Sequence, residues 1–259
     1  MEVLKMIDAY FRTSNGTKRK IDDEKDEESF KIKKNKDSVN FQFFDSLMFT
    51  KPSQLKWQKI KSENLDLDYV QLFSNPEANK LFQEAEKVIK YDSVSKVFVF
   101  GKYHSVPRRQ TSFGDEGLKY TFSGVTVTPQ HWKEAPFLQD LRDYLVDITG
   151  QTFNFVLVNR YKDGNDHMGE HRDDEKELVR SSPIASLSFG QARDFVFRHK
   201  DCRGRTSTRN IDPVKLELQN GSLLLMNHPT NHYWYHSIPV RKKLVCPRIN
   251  FTFRHMLVN

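Results

Sequence analysis

His171 and Asp173 stand two residues apart in Glu170-His171-Arg172-Asp173, so on an extended segment both side chains point to the same side, which is the spacing a chelate needs. A distant His236, in Trp234-Tyr235-His236-Ser237, would add a second imidazole. Two imidazoles and a carboxylate on one face of iron(II) leave positions open for a co-substrate and oxygen. A histidine two residues from an aspartate also arises by chance, and His167, His228 and His232 compete as ligands. The segment Arg248-Ile249-Asn250-Phe251-Thr252-Phe253-Arg254 alternates, with polar side chains on one face and apolar ones on the other. Alone, such a polar row would face solvent. A related row closes Thr152 to Tyr161, where Phe153, Phe155 and Leu157 lead into Asn159 and Tyr161, polar groups that need partners if buried. A dicarboxylate such as 2-oxoglutarate would supply them, because guanidinium groups grip carboxylates in a two-pronged geometry that lysine cannot reproduce. The expected arrangement has Arg248 and Tyr161 on the distal carboxylate and Arg254 and Asn159 on the one beside the metal, with Asn250 and Thr252 lining the pocket.

The elements that must carry these residues follow from periodicity. Apolar residues become periodic near Trp57, and Pro76 to Tyr91 reads as a helix capped by Ser74 or Asn75, with Ala78, Leu81, Phe82, Ala85, Val88 and Ile89 along one stripe. A second helix is expected over Ala135 to Thr149, ended by Gly150. Beyond it come short strands at Thr152 to Tyr161, Ile184 to Phe189, Asp194 to His199, Ser222 to Asn227, Tyr233 to Val240 and Arg248 to Arg254, separated by turns such as Asp163-Gly164-Asn165. Two helices followed by many short strands predict an α+β fold, a β-sandwich or barrel with helices packed outside. Lys96 to Ser105 reads as a hairpin with Gly101-Lys102 as its two-residue turn.

At 259 residues the chain can hold one sizeable domain, here 57–259, preceded by a tail, 1–56, whose Thr17 to Asp37 stretch is too charged to offset its ordering entropy. Lysine and arginine outnumber aspartate and glutamate 41 to 34, which favours a polyanionic partner. Two cysteines, Cys202 and Cys246, supply no disulfide framework, and no apolar run reaches the length of a membrane span. A soluble intracellular monomer that does not engage membranes is expected. Lys18-Arg19-Lys20 and Lys31 to Lys36 suit nuclear import, or else form a solvated linker.

Taken together, His171, Asp173, His236, Arg248 and Arg254 resemble the His-x-Asp, distal His and Arg-x5-Arg motif of the AlkB family of Fe(II)/2-oxoglutarate dioxygenases. The likeness runs through Phe98 to Gly124, Gln151 to Asp174, Ser182 to Lys200 and Gly221 to Arg254. Stretches such as Asn159-Arg160-Tyr161-Lys162-Asp163-Gly164 and Tyr120-Thr121-Phe122-Ser123-Gly124 resemble the nuclear branch of the family that acts on double-stranded DNA. The resemblance implies a double-stranded β-helix (jelly-roll) core with flanking helices and a DNA-binding hairpin lid. It also implies Fe(II) and 2-oxoglutarate as cofactors, O2 as co-substrate, and oxidative demethylation of 1-methyladenine and 3-methylcytosine, with etheno adducts as further substrates and succinate, CO2 and formaldehyde as products. Alkylation at the pairing edge would lower the cost of flipping that base out of the duplex.

The same likeness assigns Phe100, beside the hairpin tip, as a wedge filling the gap left by the flipped base, although such an aromatic can instead fold back on the core. Gly101, Lys102 and Arg108 would then lie near the backbone or the orphaned base. Tyr120, Thr121, Phe122 and Ser123 resemble a base-recognition lid, and Asp174 and Glu175 are candidates for the base's exocyclic amine, with a salt bridge to Arg172 or Lys176 as the alternative. Two basic segments, one holding Arg198, Lys200, Arg203 and Arg205 and the other Arg241, Lys242 and Lys243, would track phosphates or simply be solvated loops. Residues 4–11, Leu4-Lys5-Met6-Ile7-Asp8-Ala9-Tyr10-Phe11, resemble peptides that bind the replication sliding clamp, with leucine at the usual glutamine position. The competing expectations are the same chemistry on RNA or single-stranded DNA, and a non-catalytic DNA-binding scaffold.

Overall fold

The alternating segment at the end of the chain becomes an interior strand with both faces buried, and the rest of the fold is arranged around it. The structure is a computed structural model that describes residues 52–91, 96–99, 102–122, 125–203, 207 and 209–258. The tail with its basic clusters and clamp-like peptide, together with Phe100, Gly101, Ser123 and Arg205, lies outside the described residues.

In chain order the strands are β1 (Gln58–Ser62), β2 (Leu65–Gln71), β3 (Lys96–Val99), β4 (Lys102–Ser105), β5 (Arg109–Gly114), β6 (Tyr120–Phe122), β7 (Val125–Val127) and β8 (Gln130–His131). They continue as β9 (Phe155–Tyr161), β10 (Met168–His171), β11 (Ile184–Gly190), β12 (Arg193–His199), β13 (Val214–Leu218), β14 (Ser222–Met226), β15 (Trp234–Ile238) and β16 (Arg248–Arg254). The helices are α1 (Asn75–Val88), α2 (Pro136–Thr149) and the single turn α3 (Thr230–Tyr233). Eight strands form one sheet in the order β1-β2-β14-β11-β16-β9-β5-β8, antiparallel except for the β5–β8 pair. Four more form a second sheet, β10-β15-β12-β13.

The α1 helix starts where its sequence says it should: the Ser74 N–H donates to the Glu77 carboxylate at 2.8 Å, and Pro76 occupies the first turn, where a missing N–H costs nothing. Its buried stripe of Ala78, Leu81, Phe82 and Ala85 packs on the large sheet together with Phe137, Leu138 and Leu141 of α2 and Ile249, Phe251 and Phe253 of β16. A second core lies between the two sheets, where Phe155, Leu157 and Tyr161 of β9 meet Phe195 and Phe197 of β12 and Trp234 of β15. The layers are therefore helices, large sheet, small sheet, the jelly-roll architecture expected. Among the described residues no helix is long and apolar enough to cross a membrane.

Several boundaries differ from the sequence reading. The α1 helix ends at Val88 rather than Tyr91, with Ile89 already extended, whereas α2 ends as expected at Gly150, which takes the left-handed conformation at φ 66°. Strands β1, β2, β5, β10 and β13 were not foreseen: β1 and β13 carry mixed or polar residues, and β2, β5 and β10 pair with strands far away in sequence. Before Trp57, Pro52–Gln54 form a 3-10 turn, and Leu55 packs against the core. The hairpin is present, but Lys102 pairs with Val99 and opens the returning strand, so it is not a turn residue.

The turn at Asp163-Gly164-Asn165 is held from both sides, by Gly164 N–H on the Leu244 carbonyl and Arg241 N–H on the Gly164 carbonyl, each at 2.7 Å. A Cβ added at Gly164 would lie 1.8 Å from the Arg241 carbonyl oxygen, which is backbone and cannot turn aside. Gly164→Ala is therefore expected to destabilise the protein by about 1–3 kcal/mol, the usual cost of overpacking. Thermal unfolding would read this as a fall of several degrees, while an unchanged midpoint would show that the two loops separate freely.

Candidate metal and co-substrate site

The three candidate ligands arrive by different routes. His171 ends β10 and His236 lies in β15, and the antiparallel register sets them directly opposite each other, with ring centroids 4.2 Å apart. Asp173 lies two residues beyond the end of β10. The ligand atoms of the three residues all fall within 4.8 Å of one another. The His171 Nε2 is 3.6 Å and the His236 Nε2 3.9 Å from the Asp173 Oδ1. His167, His228 and His232, the competing histidines, are not part of this cluster.

Protonation suits a cation. His171 Nδ1 lies 2.9 Å from the Gly169 carbonyl, which can only accept, so the proton sits on Nδ1 and the Nε2 lone pair faces the cluster. Burial, with His171 and Arg254 nearby, pushes the His236 pKa down to about 3, leaving that imidazole neutral at physiological pH. Burial acts to raise the Asp173 pKa, but the Arg254 guanidinium, 2.9 Å from its Oδ2, together with His236 and His171, holds the carboxyl below its ordinary range. The cluster thus offers two imidazole lone pairs and one negative charge.

A cavity of about 830 Å³ opens beside it. Asn159 and Tyr161 of β9 and Asn250, Thr252 and Arg254 of β16 line it, because facing strands put Asn250 opposite Asn159 and Arg248 opposite Tyr161. Arg248 does not itself form the wall: it lies behind Tyr161, its guanidinium 5.2 Å from the ring centroid, and donates to the Ser188 hydroxyl at 2.9 Å. Its pKa is brought down to about 10 by burial and by Arg193, so it remains charged at neutral pH. The Tyr161 hydroxyl and the Arg248 Nε and Nη1 are buried, yet make no hydrogen bond of ordinary geometry. Buried donors left this way are costly. A carboxylate between them would satisfy them, so the residues present fit a dicarboxylate co-substrate.

Other candidates are placed less simply. Asn159 does not meet Arg254; its Oδ1 accepts from Arg108 Nε at 2.8 Å, so the Arg108 side chain sits on the cavity wall rather than free toward the hairpin. Arg254 reaches Asp173 with Nη2, and with Nη1 meets the Tyr120 hydroxyl at 3.2 Å and Glu175 at 3.3 Å. Glu175 also accepts from Tyr120 at 2.9 Å, so its ion pair is with Arg254, neither with Arg172 nor with Lys176. Burial and the nearby Asp173, opposed by Arg254, leave the Glu175 pKa raised. Tyr120 is buried, its ring 4.9 Å from that of Phe155, while Thr121 donates to Glu177 at 2.9 Å and Asp174 is exposed at the cavity rim.

Among the basic candidates, Arg198 and Arg203 both donate to Glu170, at 2.8 and 3.0 Å, and Arg203 also stacks on Tyr235 at 3.6 Å. Lys200 lies 4.1 Å from the Tyr233 ring, and Arg241 pairs with Asp194. Lys242 and Lys243 are exposed.

Sequence reading missed Gln110 and Ser186, which line the cavity, and Ser188, which holds Arg248. The alternation of Ser186 and Ser188 with Ala185, Leu187 and Phe189 is the same signal that exposed Arg248 to Arg254 and could have found the two serines. Gln110 sits in the polar run Arg109-Gln110-Thr111-Ser112, which gives no sign of being buried.

A jelly roll whose two sheets enclose a His-Asp-His cluster and a pocket with unsatisfied donors suited to a carboxylate defines an iron(II)- and 2-oxoglutarate-dependent dioxygenase. Residues 66–254 match the model of the 2OG-Fe(II) oxygenase superfamily. The chain is 58% identical over 204 residues to DNA oxidative demethylase ALKBH2 of Homo sapiens, a match spanning 78% of this chain and 77% of that protein. It is 35% identical over 210 residues to DNA oxidative demethylase ALKBH2 of Arabidopsis thaliana, spanning 74% and 67%. The solved structure of OsALKBH1 superposes with a TM-score of 0.51 at 14% identity, over 77% of this chain and all of that one, a likeness of fold. The chain belongs to the AlkB family of the 2OG-Fe(II) oxygenase superfamily.

Proposed function

We propose that this protein is a DNA repair enzyme that oxidatively demethylates alkylated bases, 1-methyladenine, 3-methylcytosine and etheno adducts, in double-stranded DNA. The observation that carries the proposal is the His171-Asp173-His236 cluster opening on the 830 Å³ cavity, in a chain 58% identical to a DNA oxidative demethylase.

His171, Asp173 and His236 would hold iron(II), and their crowding on one side leaves the cavity side free for other ligands. With 2-oxoglutarate and oxygen, the bound metal supplies the oxidising power that hydroxylates the methyl carbon, which then leaves as formaldehyde. Arg248 and Tyr161 would orient the distal carboxylate of 2-oxoglutarate, while Arg254 and Asn159 stand at the metal end, with Asn250 and Thr252 along its length. Charge agrees with this: Arg193, Arg248 and Arg254 outnumber Asp173 and Glu175 by one, and a divalent cation and a dicarboxylate arriving together add no net charge to the buried set.

On the DNA side, Phe100 is the wedge, flanked by Gly101 and Lys102. Tyr120, Thr121, Phe122 and Ser123 cover the flipped base, with Asp174 and Glu175 toward its amine and Arg108 nearby. Arg198, Lys200, Arg203, Arg205, Arg241, Lys242 and Lys243 meet phosphates, for which the existing partners Glu170 and Asp194 would have to release or share Arg198, Arg203 and Arg241. Action in the nucleus agrees with the basic clusters at Lys18 to Lys20 and Lys31 to Lys36, and residues 4–11 are the segment for a sliding-clamp partner.

Anaerobic loading with Fe(II) and 2-oxoglutarate, followed by oxygen and methylated duplex DNA, should release formaldehyde. Metal demonstrably bound with no turnover would favour a non-catalytic scaffold. In the same assay Phe100→Ala should impair duplex repair by about 10-fold or more relative to single-strand repair, since base stacking is worth roughly 1–3 kcal/mol. Equal losses on both substrates would remove the wedge.

A further inference from the structure

Two of the three metal-site side chains are fixed by sheet ladders. His171 pairs across to His236, and His236 pairs in turn with Phe197 on β12. Asp173 has no such support, because β10 has already ended and residues 172–175 belong to no strand or helix. It is nonetheless 3% exposed, so its backbone N–H and C=O need partners away from water.

One side chain provides both. The Asp173 N–H donates to the Asn231 Oδ1 at 3.0 Å, and the Asn231 Nδ2 donates back to the Asp173 carbonyl at 2.5 Å. A primary amide has the same donor and acceptor as a peptide group, so Asn231 does for Asp173 what a neighbouring strand would have done. Two further contacts make the amide a fixed reference. Arg172 Nη1 donates to the His232 carbonyl at 2.6 Å, tying the adjoining residues of the two segments. Thr230 exchanges hydrogen bonds with the backbone of Asp66 in β2, receiving from its N–H at 2.8 Å and donating to its carbonyl at 3.0 Å. Because α3 runs straight into β15, the segment that grips Asp173 is continuous with the strand that carries His236.

We propose that Asn231 is a positioning residue for the metal carboxylate, locking the Asp173 backbone to the α3 turn so that the His-x-Asp segment and His236 keep one spacing. This rests on the reading of the triad as the metal site. Without the amide, the Asp173 backbone N–H and C=O lose the one side chain that serves both, and the place of the carboxylate would rest on its side-chain contact with Arg254.

The test is Mn(II) affinity of the metal-free full-length protein, followed by the electron paramagnetic resonance of the free ion, with thermal unfolding measured on the same samples. Wild type should bind one Mn(II), and Asp173→Asn should bind at least about a hundredfold more weakly. Asn231→Ala should weaken binding by about 10- to 100-fold, the range for partners that orient a metal ligand. Asn231→Asp keeps the acceptor for the Asp173 N–H but loses the donor to its carbonyl, and should fall between wild type and alanine. It also serves if the alanine variant does not fold. A purely structural asparagine would lower the unfolding midpoint and leave Mn(II) affinity within twofold of wild type in every folded variant, which would overturn the proposal. If wild type itself failed to bind Mn(II), the triad assignment would fall first.

Discussion

Asp173→Asn is expected to reduce demethylation of methylated duplex DNA to background. The substitution keeps the shape of the side chain and a group for Arg254 to meet, so the loss would report charge rather than packing. The site offers a divalent ion one formal negative charge from its three ligands, and asparagine removes it. Arg254, 2.9 Å away, would then face the ion with less compensation, and burial at 3% exposure weakens the screening of the two positive charges. Metal affinity should fall at least about a hundredfold, more than for changes in the residues that merely orient ligands. Formaldehyde release at saturating Fe(II), set beside wild type, is the measurement. Turnover within tenfold of wild type would mean that Asp173 is not a ligand.

Arg248→Lys should weaken 2-oxoglutarate binding by about 10- to 100-fold while leaving metal affinity unchanged. A guanidinium can present two parallel N–H groups to a carboxylate, whereas an ammonium is a point charge. At this position the difference is enlarged by burial, which already lowers the arginine pKa to about 10 and would disfavour the charged lysine more strongly. Arg248 also keeps its Ser188 contact while Nε and Nη1 remain for a ligand, an arrangement lysine cannot copy. Anaerobic calorimetry of the Mn(II)-loaded protein reads the effect directly. Unchanged affinity would remove Arg248 from the co-substrate site and would fit its place behind Tyr161, off the cavity wall.

The chemistry was legible in the sequence where local periodicity and burial coincide. The row from Arg248 to Arg254 is an interior strand with apolar residues toward the helices and polar ones toward the cavity, so alternation alone separated its two jobs. The His171-Asp173 spacing was equally plain, because a chelate requires it. The stripe of α1 and the glycine that ends α2 were read correctly for similarly local reasons, capping and a left-handed residue.

What the sequence determined by itself is therefore the set of candidate metal and co-substrate residues and the class of fold that holds them. The tertiary structure decided how they are held. That β10 lies against β15, setting His171 opposite His236, is a pairing between segments about 65 residues apart, and no local pattern specifies it. That Arg108 turns to Asn159, Glu175 to Arg254 and Asn231 to the Asp173 backbone depends on which polar groups are left buried without partners once the sheets close. A charged or amide side chain in a sequence shows only that it can make such bonds. Which bonds it makes is fixed by desolvation, and desolvation exists only in the folded molecule.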